Sequence, residues 1–258
     1  MQSFLASIGR AFLDFLAATG SLVGFALLAV WYGIRPPYYP RLILRQMIEI
    51  GYYSLPVVGL TALFTGMVLA LQTYTGFSRF AAESAIPNVV VLSVTRELGP
   101  VIAGLMVAGR IGAAIAAEIG TMRVTDQIDA LTTLSTNPYR YLVAPRLLAG
   151  LTMLPVLVLV ADIIGVFGGY LVSSYKLGFN PASYIQRTID FMQDKDVVAG
   201  LVKAAVFGFI VTLMGCYNGY HSRGGAQGVG TATTYAVVSA SILILVFDYV
   251  LTEAFFAR

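Results

Sequence analysis

The sequence predicts an all-α, polytopic membrane protein with about five transmembrane helices and one further N-terminal apolar segment. Two observations lead to this fold class. The chain of 258 residues is 58% hydrophobic and 11% charged, whereas a soluble domain carries roughly 25% charged residues. Its apolar residues also form runs of about 20 residues or more, which cross a hydrocarbon core of about 30 Å. We therefore attribute the net charge of +3 to basic loops of a membrane protein and not to a nucleic-acid surface.

The first apolar run, residues 15–34, is the ambiguous element. An amphipathic piece, residues 3–15, precedes it, and Arg35, Pro36 and Pro37 end it. By length this run could span the membrane, but it could equally lie in the interface as an elbow helix. The residues alone leave both arrangements open.

Five further runs are predicted to span the membrane, and prolines mark their expected irregularities. Pro56 is expected to kink the first of them, and Pro145 and Pro155 are expected to bend the third. The second would be a helix of about 34 residues, or about 50 Å. Because that exceeds one crossing, it should tilt, break near Gly99–Pro100 or project beyond the bilayer. The predicted runs are residues 50–74, 87–120, 141–175, 197–217 and 228–256.

Lysine and arginine are biased between the predicted loops, and this bias sets the expected orientation. Arginines are more numerous in and around segments 119–140 and 218–227, so these are predicted to be cytoplasmic. Segments 78–86 and 176–196 are then external.

A small residue recurs at every fourth position of the run 87–120. Such a face lets a second helix approach closely. It could serve packing within one subunit or a dimer seam, and the sequence does not choose between them. The residues are Gly104, Ala108, Gly112, Ala116 and Gly120.

The same run also carries Arg96, Glu97, Arg110 and Glu118. At the centre of a lipid-facing helix each charge would cost about 2.5–3.5 kcal/mol, so each should face protein, a water-filled cavity or the membrane boundary. At 100° per residue, Arg96, Arg110 and Glu118 share one face. If Glu118 marks the cytoplasmic boundary, Arg96 and Glu97 lie about 30 Å away at the external end. They would be interface residues there, or the polar rim of an outward-facing cavity.

Lys203 and Asp248 are charged residues inside two other apolar runs. An ion pair between them is the simplest arrangement, because it removes two uncompensated charges together. That pair could be structural or could take part in transport. Asp162 lies in a third apolar run, and no partner is predicted for it.

Motifs for catalysis are missing from the sequence. There is no phosphate-binding loop of the G-x-x-x-x-G-K-[ST] type, and the glycine-rich segment 224–230 lacks its lysine. With a single histidine and a single cysteine, no metal cluster or nucleophilic triad is predicted. The chain is therefore expected not to be an enzyme, and active transport would draw energy from an ion gradient or from another subunit.

Residues 121–138 predict a short amphipathic helix outside the membrane. Thr125 is the expected N-cap, with Asp126 and Asp129 in the first turn, where negative charge suits the helix dipole. Ile128 and Leu131 would share a face. This helix could dock into another protein or simply connect two spans in solvent.

The run RELGPVIAGLMVAGRIGAAIAAEIGTMRVTDQIDAL, residues 96–131, closely resembles the signature of the MlaE/YrbE permease family. Further matches lie in segments 65–72, 137–149 and 228–252. These permeases are the membrane subunits of ABC transporters that work with MCE-domain proteins. The resemblance begins near residue 45, so it implies a permease domain over 45–258 and an interfacial or elbow helix region over 1–44.

The resemblance implies a function and a set of partners. The chain would move phospholipid between the inner membrane of a Gram-negative bacterium and a periplasmic MCE-domain protein, and so maintain the lipid asymmetry of the outer membrane. It would form a homodimer around an outward-facing lipid cavity, beneath a hexamer of MCE subunits. ATP and Mg²⁺ would be bound by a separate ATPase and not by this chain. A small cytoplasmic subunit of the STAS type would complete the assembly.

The resemblance also implies roles for residues already singled out. Arg96, Glu97, Lys203 and Asp248 match charged family positions near the cavity or its support. Gln72 and Tyr74, at the external end of their run, would line the cavity. Segment 121–131 corresponds to a coupling helix that docks on the ATPase, and the residues expected to take part in coupling are Glu118, Arg123, Thr125, Asp126, Ile128, Asp129 and Leu131.

Two alternatives from other functional classes stay open. The chain could be an ion-coupled secondary transporter that uses Lys203 and Asp248 as a relay, or a membrane scaffold for an MCE assembly that translocates nothing. The first predicts transport driven by a gradient without an ATPase. The second predicts that blocking the cavity changes nothing.

Overall fold

The computed structural model describes residues 2–80 and 83–256, and they form helices joined by short loops. Residues 1, 81, 82, 257 and 258 lie outside this description, including parts of the predicted segments 78–86, 1–44 and 45–258. The α-helices are α1 (Gln2–Ile34), α2 (Pro40–Ile50), α3 (Leu55–Phe77), α4 (Ile86–Ser93), α5 (Gly99–Val107), α6 (Ala113–Val124), α7 (Gln127–Thr133), α8 (Ala144–Tyr175), α9 (Pro181–Phe191), α10 (Asp194–Tyr220) and α11 (Gly225–Phe256).

Six helical stretches within the described residues are long and apolar enough to cross a membrane. Their mean hydropathy runs from 1.7 to 2.4. The predicted class, an all-α polytopic membrane protein, is therefore confirmed. The stretches are Phe12–Ile34, Pro40–Phe77, Ile86–Val124, Tyr139–Tyr175, Asp194–Tyr220 and Gly225–Phe256.

The N-terminal helix α1 is continuous to Ile34, and its apolar part is only 12% buried inside the subunit. It is attached through Phe25, which is 3% exposed and contacts the rings of Tyr139 and Tyr217. Its length allows a crossing, and its low burial means that most of its apolar surface is available to lipid. The choice between an interfacial and a spanning position stays a prediction.

The break predicted at Pro56 lies a few residues earlier. The chain turns through a short 3₁₀ segment, Tyr52–Ser54, between α2 and α3. Pro56 is the second residue of α3, where its missing N–H would have no helical partner in any case. Pro145 likewise stands in the first turn of α8, whereas Pro155 lies inside that helix.

The long helical stretch Ile86–Val124 continues through Gly99–Pro100 without a break. Two π-helical segments, Val94–Leu98 and Ala108–Gly112, interrupt its α-helical hydrogen bonding. A π turn closes over five residues instead of four, so each segment rotates the residues that follow it. A helical wheel drawn at 100° per residue therefore misplaces the charges along this stretch.

Helix α10 lies at the centre of the subunit and packs against α5, α6, α8 and α11. Its contact with α8 is close because both helices carry glycine at the crossing. A Cβ on Gly208 would lie 2.1 Å from the carbonyl oxygen of Gly150. Only glycine fits this position.

The small-residue face of the stretch 87–120 is turned toward α10, α11 and the loop between them. Gly104 packs against Phe207 and Ile244: a Cβ placed on Gly104 would lie 3.4 Å from Phe207 and 3.5 Å from Ile244. Ala108 and Ala116 are fully buried. Gly112 packs against Val211, and Gly120 against Ser222 and Val229. This face is therefore occupied by packing within one subunit.

The structure groups the predicted loops at two ends. At one end the Arg187 guanidinium donates to the Ser84 carbonyl at 2.8 Å, which joins segments 176–196 and 78–86. At the other end the Arg123 guanidinium lies 5.7 Å from the ring centre of Tyr220, which joins segments 119–140 and 218–227. This grouping agrees with the topology predicted from the basic residues.

Candidate functional site: a charged cluster between three helices

Lys203 is the centre of the site. Its side chain is fully buried in α10, and its Nζ lies 2.7–3.0 Å from four oxygens on two other segments. Two are carboxylate oxygens, of Glu97 at 2.9 Å and of Asp248 at 2.8 Å. The others are the Thr252 hydroxyl at 2.7 Å and the Arg96 carbonyl at 3.0 Å. The predicted contact between Lys203 and Asp248 is present, but Glu97 shares the same ammonium.

Local backbone chemistry explains why a carbonyl is available to Lys203. In an α-helix the N–H of residue 100 would donate to the carbonyl of residue 96. Residue 100 is proline and has no N–H. In the π segment the Gly99 N–H bonds instead to the Val94 carbonyl. The Arg96 carbonyl is thus left for the Lys203 ammonium, which satisfies a buried acceptor.

Arg96 has a partner that the sequence interpretation missed. Its Nε donates to Asp196 at 2.9 Å, and its Nη2 lies 2.7 Å from the same carboxylate oxygen. Asp196 is 1% exposed, and its other oxygen accepts from the Gln193 backbone N–H as part of a capping box. The Arg96 guanidinium also stacks 4.4 Å from the ring centre of Phe256. These contacts fix the side chain between α10 and α11.

The exposure of these side chains shows which side of the cluster is open. Lys203 and Asp196 are buried, whereas the side chains of Asp248, Arg96 and Glu97 are 19%, 32% and 40% exposed. A buried ammonium therefore supports a partly open surface that carries a guanidinium and two carboxylates. Such a surface can hydrogen-bond both phosphate oxygens and donor groups.

The other charges predicted on the same helical face have separate partners. Arg110 donates to the Ser54 hydroxyl at 2.8 Å, at the junction of α2 and α3. Glu118 forms an ion pair with Arg146 of α8 at 2.8 Å. Arg96 therefore contacts α10 and α11, whereas Arg110 and Glu118 contact the α2–α3 junction and α8.

The two predicted lining residues on α3 are not joined to the cluster by any contact among the described residues. Gln72 is exposed, and Tyr74 is half-buried with its ring edge against Phe179, 6.3 Å between centroids. Their assignment as cavity residues stays a prediction for the assembled protein.

The segment predicted to couple to an ATPase contains helix α7, but its cap differs from the expectation. Thr125 ends α6, and its hydroxyl donates to the Thr121 carbonyl. The N-cap is Asp126, in the left-handed region at φ 57° and without a side-chain capping bond. Asp129 is in the first turn as expected, and it pairs with Arg123 at 2.7 Å.

The apolar face of α7 is used inside the subunit. Ile128 is fully buried in the core, and Leu131 packs against it partly buried. Ile128 therefore holds α7 in place inside the subunit, and Leu131 supports it from a partly buried position. The outer face instead exposes Asp126, Gln127 and, just past the helix, Leu134.

Three residues of these networks were not singled out from the sequence. Asp196 lies in a segment predicted as a loop, and Gln193-x-x-Asp196 departs from the usual S/T-x-x-E/Q pattern, although the structure forms a capping box there. Thr252 stands one turn after Asp248, where an i,i+4 partner is expected. Arg146 is 4% exposed, and only the tertiary structure shows its pairing with Glu118.

The family model of the permease MlaE matches residues 43–254. A probable ABC transporter permease protein of Rickettsia felis is 60% identical over 250 residues, covering 97% of this chain and 96% of that protein. The chain belongs to the MlaE permease family. A probable ABC transporter permease of Synechocystis is 43% identical over 213 residues, with 83% and 81% coverage.

A further MlaE-family relative carries a more specific name. The intermembrane phospholipid transport system permease protein MlaE of Haemophilus influenzae is 37% identical over 260 residues, covering 98% of each chain. As an MlaE-family member, the present chain is the permease subunit of an ABC transporter, and thus a multi-pass membrane component of transport.

Proposed function

We propose that this permease moves phospholipid between the inner membrane of a Gram-negative bacterium and a periplasmic MCE-domain protein, with energy from a separate ATPase. The observation that carries the proposal is the Lys203 cluster, which is buried on one side and partly open on the other. A lipid needs an apolar wall for its acyl chains and a few polar groups for its head group. The name of the Haemophilus influenzae relative supports phospholipid as the substrate.

A homodimer would complete the cavity, and helix α11 offers a seam for it. Large apolar side chains recur on α11 at intervals of three and four residues and are exposed in the single subunit. This is the spacing of one helix face. Two such faces would bring the two charged clusters toward a common cavity. The exposed residues are Tyr235, Val238, Ile242, Leu245 and Tyr249.

Helix α7 would dock on the ATPase through its polar outer face. Ile128 anchors it to the permease core, so a push on α7 would be passed directly to the helices around it. Asp126 and Leu134 are exposed on the outside and free to contact a partner.

Lipid retention is the first test of this proposal. The chain is expressed with its ATPase and MCE-domain partners, extracted gently, and its bound lipid is identified by mass spectrometry. Phospholipid is expected in the wild-type complex and should be strongly reduced in the double variant Arg96→Ala, Glu97→Ala. Lys176→Gln is the matched control, because Lys176 is exposed and makes no ion pair with a described residue.

Two results would count against the phospholipid assignment. One is an intact complex without lipid, and the other is equal lipid in the wild type and the double variant. Transport by the chain without the ATPase, driven by an ion gradient, would favour a secondary transporter instead. Unaltered lipid movement with the cavity blocked would favour a scaffold.

Coupling is tested separately at α7. The double variant Asp126→Asn, Leu134→Asp should lower ATP hydrolysis by the complex without changing the unfolding temperature of the permease, because both side chains are exposed and asparagine tolerates the left-handed backbone of residue 126. Asp129 is left intact, since its loss would also break the ion pair with Arg123. ATP hydrolysis equal to that of the wild type would remove the docking role of α7.

A further inference from the structure

A lateral groove lies between α8 and α9, apart from the charged cluster. Its volume is about 510 Å³, within the range of sites for small ligands. Its walls are almost entirely apolar and are formed chiefly by Ile163, Val166 and Phe167 of α8 and by Ile185 and Ile189 of α9. On α8 the groove runs from Leu159 to Tyr170, or about 16 Å at 1.5 Å per residue. A linear hydrocarbon chain fits this shape.

One carboxyl group stands in this apolar groove. Asp162 lines it, is 8% exposed, and has no hydrogen-bond or ion-pair partner among the described residues. Its Oδ1 packs against Gly99, where a Cβ would lie 1.9 Å away. A glycine at residue 99 thus makes room for this carboxyl. A buried polar group without a partner is costly, and inside a membrane segment it commonly marks a functional site.

Helix α9 forms the outer wall because of its own sequence. Asn180 caps it by accepting from the backbone N–H groups of Ala182 and Ser183. Tyr184 anchors it in an edge-to-face contact with Tyr170, 5.8 Å between ring centroids, and only 3% of its surface is exposed. The helix is amphipathic, so Ile185 and Ile189 turn toward the groove while Gln186 and Asp190 bond to each other on the outside.

We propose that this groove is a binding site for a single-chain amphiphile with a primary ammonium head. The hydrocarbon chain would lie along α8 and α9, and the ammonium would donate to Asp162. Charge complementarity decides the occupant, because the groove offers one carboxyl and no described cation. Because α8 is long and apolar enough to cross the membrane, such an amphiphile would enter the groove laterally from the bilayer. Binding needs only the fold of one subunit, so it does not depend on the transport proposed above.

The test uses three amphiphiles that share a twelve-carbon chain: dodecylammonium, dodecanol and dodecanoate. The full chain is reconstituted in phosphatidylcholine nanodiscs, whose own head group lacks an N–H donor. Bound amphiphile is counted by native mass spectrometry as each compound is titrated. Dodecylammonium should bind at least about tenfold more tightly than dodecanol, because a hydrogen bond to a charged group is among the stronger ones. Dodecanoate should bind most weakly.

Variants separate the two parts of the site. Asp162→Asn keeps the shape of the side chain and should abolish the preference for dodecylammonium over dodecanol. Val166→Phe from one wall and Ile189→Trp from the other should each reduce the binding of all three compounds. Val156→Phe is the matched control for the first, because Val156 lies on α8, is 50% exposed and is outside the groove. Thermal unfolding checks that each variant is folded.

Three results would overturn the proposal. Equal binding of the three compounds by the wild type would remove the role of Asp162. A preference that persists in Asp162→Asn would do the same. Binding left intact by both wall variants would show that the amphiphile sits elsewhere, as an adventitious additive only. Loss of phospholipid transport is not used as a readout, so failure of the proposed function would leave these outcomes unaffected.

Discussion

At the scale of single residues, the site is organised by the Lys203 ammonium, which contacts more partners than the single ion pair predicted from the sequence. Lys203 and Asp248 were paired from sequence because each needed a counter-charge. In the structure Lys203 also contacts Glu97, so Arg96 is released to pair with Asp196. Two cations and three carboxylates thus satisfy one another in a connected set. Removing any one member should disturb the others, as expected of coupled polar networks.

The two carboxylates on Lys203 should differ in what they do. Asp248→Asn should lower stability by roughly 2 kcal/mol, since the side chain is only 19% exposed and its loss leaves a buried cation less compensated. Glu97→Gln should cost about 1 kcal/mol or less, because that side chain is 40% exposed and solvent screens the pair. Unfolding temperature in detergent, followed by circular dichroism, measures the loss of stability in both variants.

If lipid contacts the open side of the cluster, Glu97→Gln should nonetheless lose more bound phospholipid than Asp248→Asn. An equal or reversed order of stabilities would contradict this division.

At the scale of elements, the positions of the long helices along the chain could be predicted, whereas the direction in which each helix face points could not. Apolar runs and turn residues were sufficient to place the long helices to within a few residues, since a span needs length and hydrophobicity alone. The π segment Val94–Leu98 stands beside Pro100, whose missing N–H leaves the Arg96 carbonyl to Lys203, whereas no proline marks the π segment Ala108–Gly112. Arg96 contacts α10 and α11 while Arg110 and Glu118 contact other helices, and the small residues between 104 and 120 pack inside the subunit.

The crossing of α8 and α10 gives a prediction about an element pair. Gly208→Ala would place a methyl group 2.1 Å from the Gly150 carbonyl oxygen, so the helices must separate. We expect a loss of roughly 3 kcal/mol, the upper end for overpacking, because a backbone atom cannot rotate away. Gly76→Ala, with nothing within 4 Å of the added Cβ, is the control and should be neutral or slightly stabilising. Equal unfolding temperatures for the two variants would show that the crossing is loose.

At the scale of the whole molecule, the sequence was informative about architecture and incomplete about the site. Lys203, Asp248, Arg96 and Glu97 stood out because charge in an apolar run is costly. Asp196 and Arg146 did not, because they lie near helix ends, where charge is ordinary. The direction in which Ile128 faces could not be predicted, because a short helix that packs inward and one that packs outward have the same apolar pattern. The apolar pattern of a helix shows that one face is covered, but only the tertiary contacts show which neighbour covers it.

The proposed assembly of two permeases around a cavity predicts which positions of α11 meet between the two copies. The single native cysteine, Cys216, is fully buried, so single cysteines introduced on α11 report contacts between copies. If α11 is the seam, oxidation in native membranes should cross-link dimers through cysteines at 238, 242, 245 and 249, which share the exposed face. Ile244→Cys should not cross-link, because Ile244 is fully buried within the subunit. Val156→Cys on α8, exposed and apolar but on another helix, is the control for random encounters. Cross-linking without this periodicity, or equally strong at residue 156, would place the seam on a different surface and would separate the charged clusters that the proposed cavity brings together.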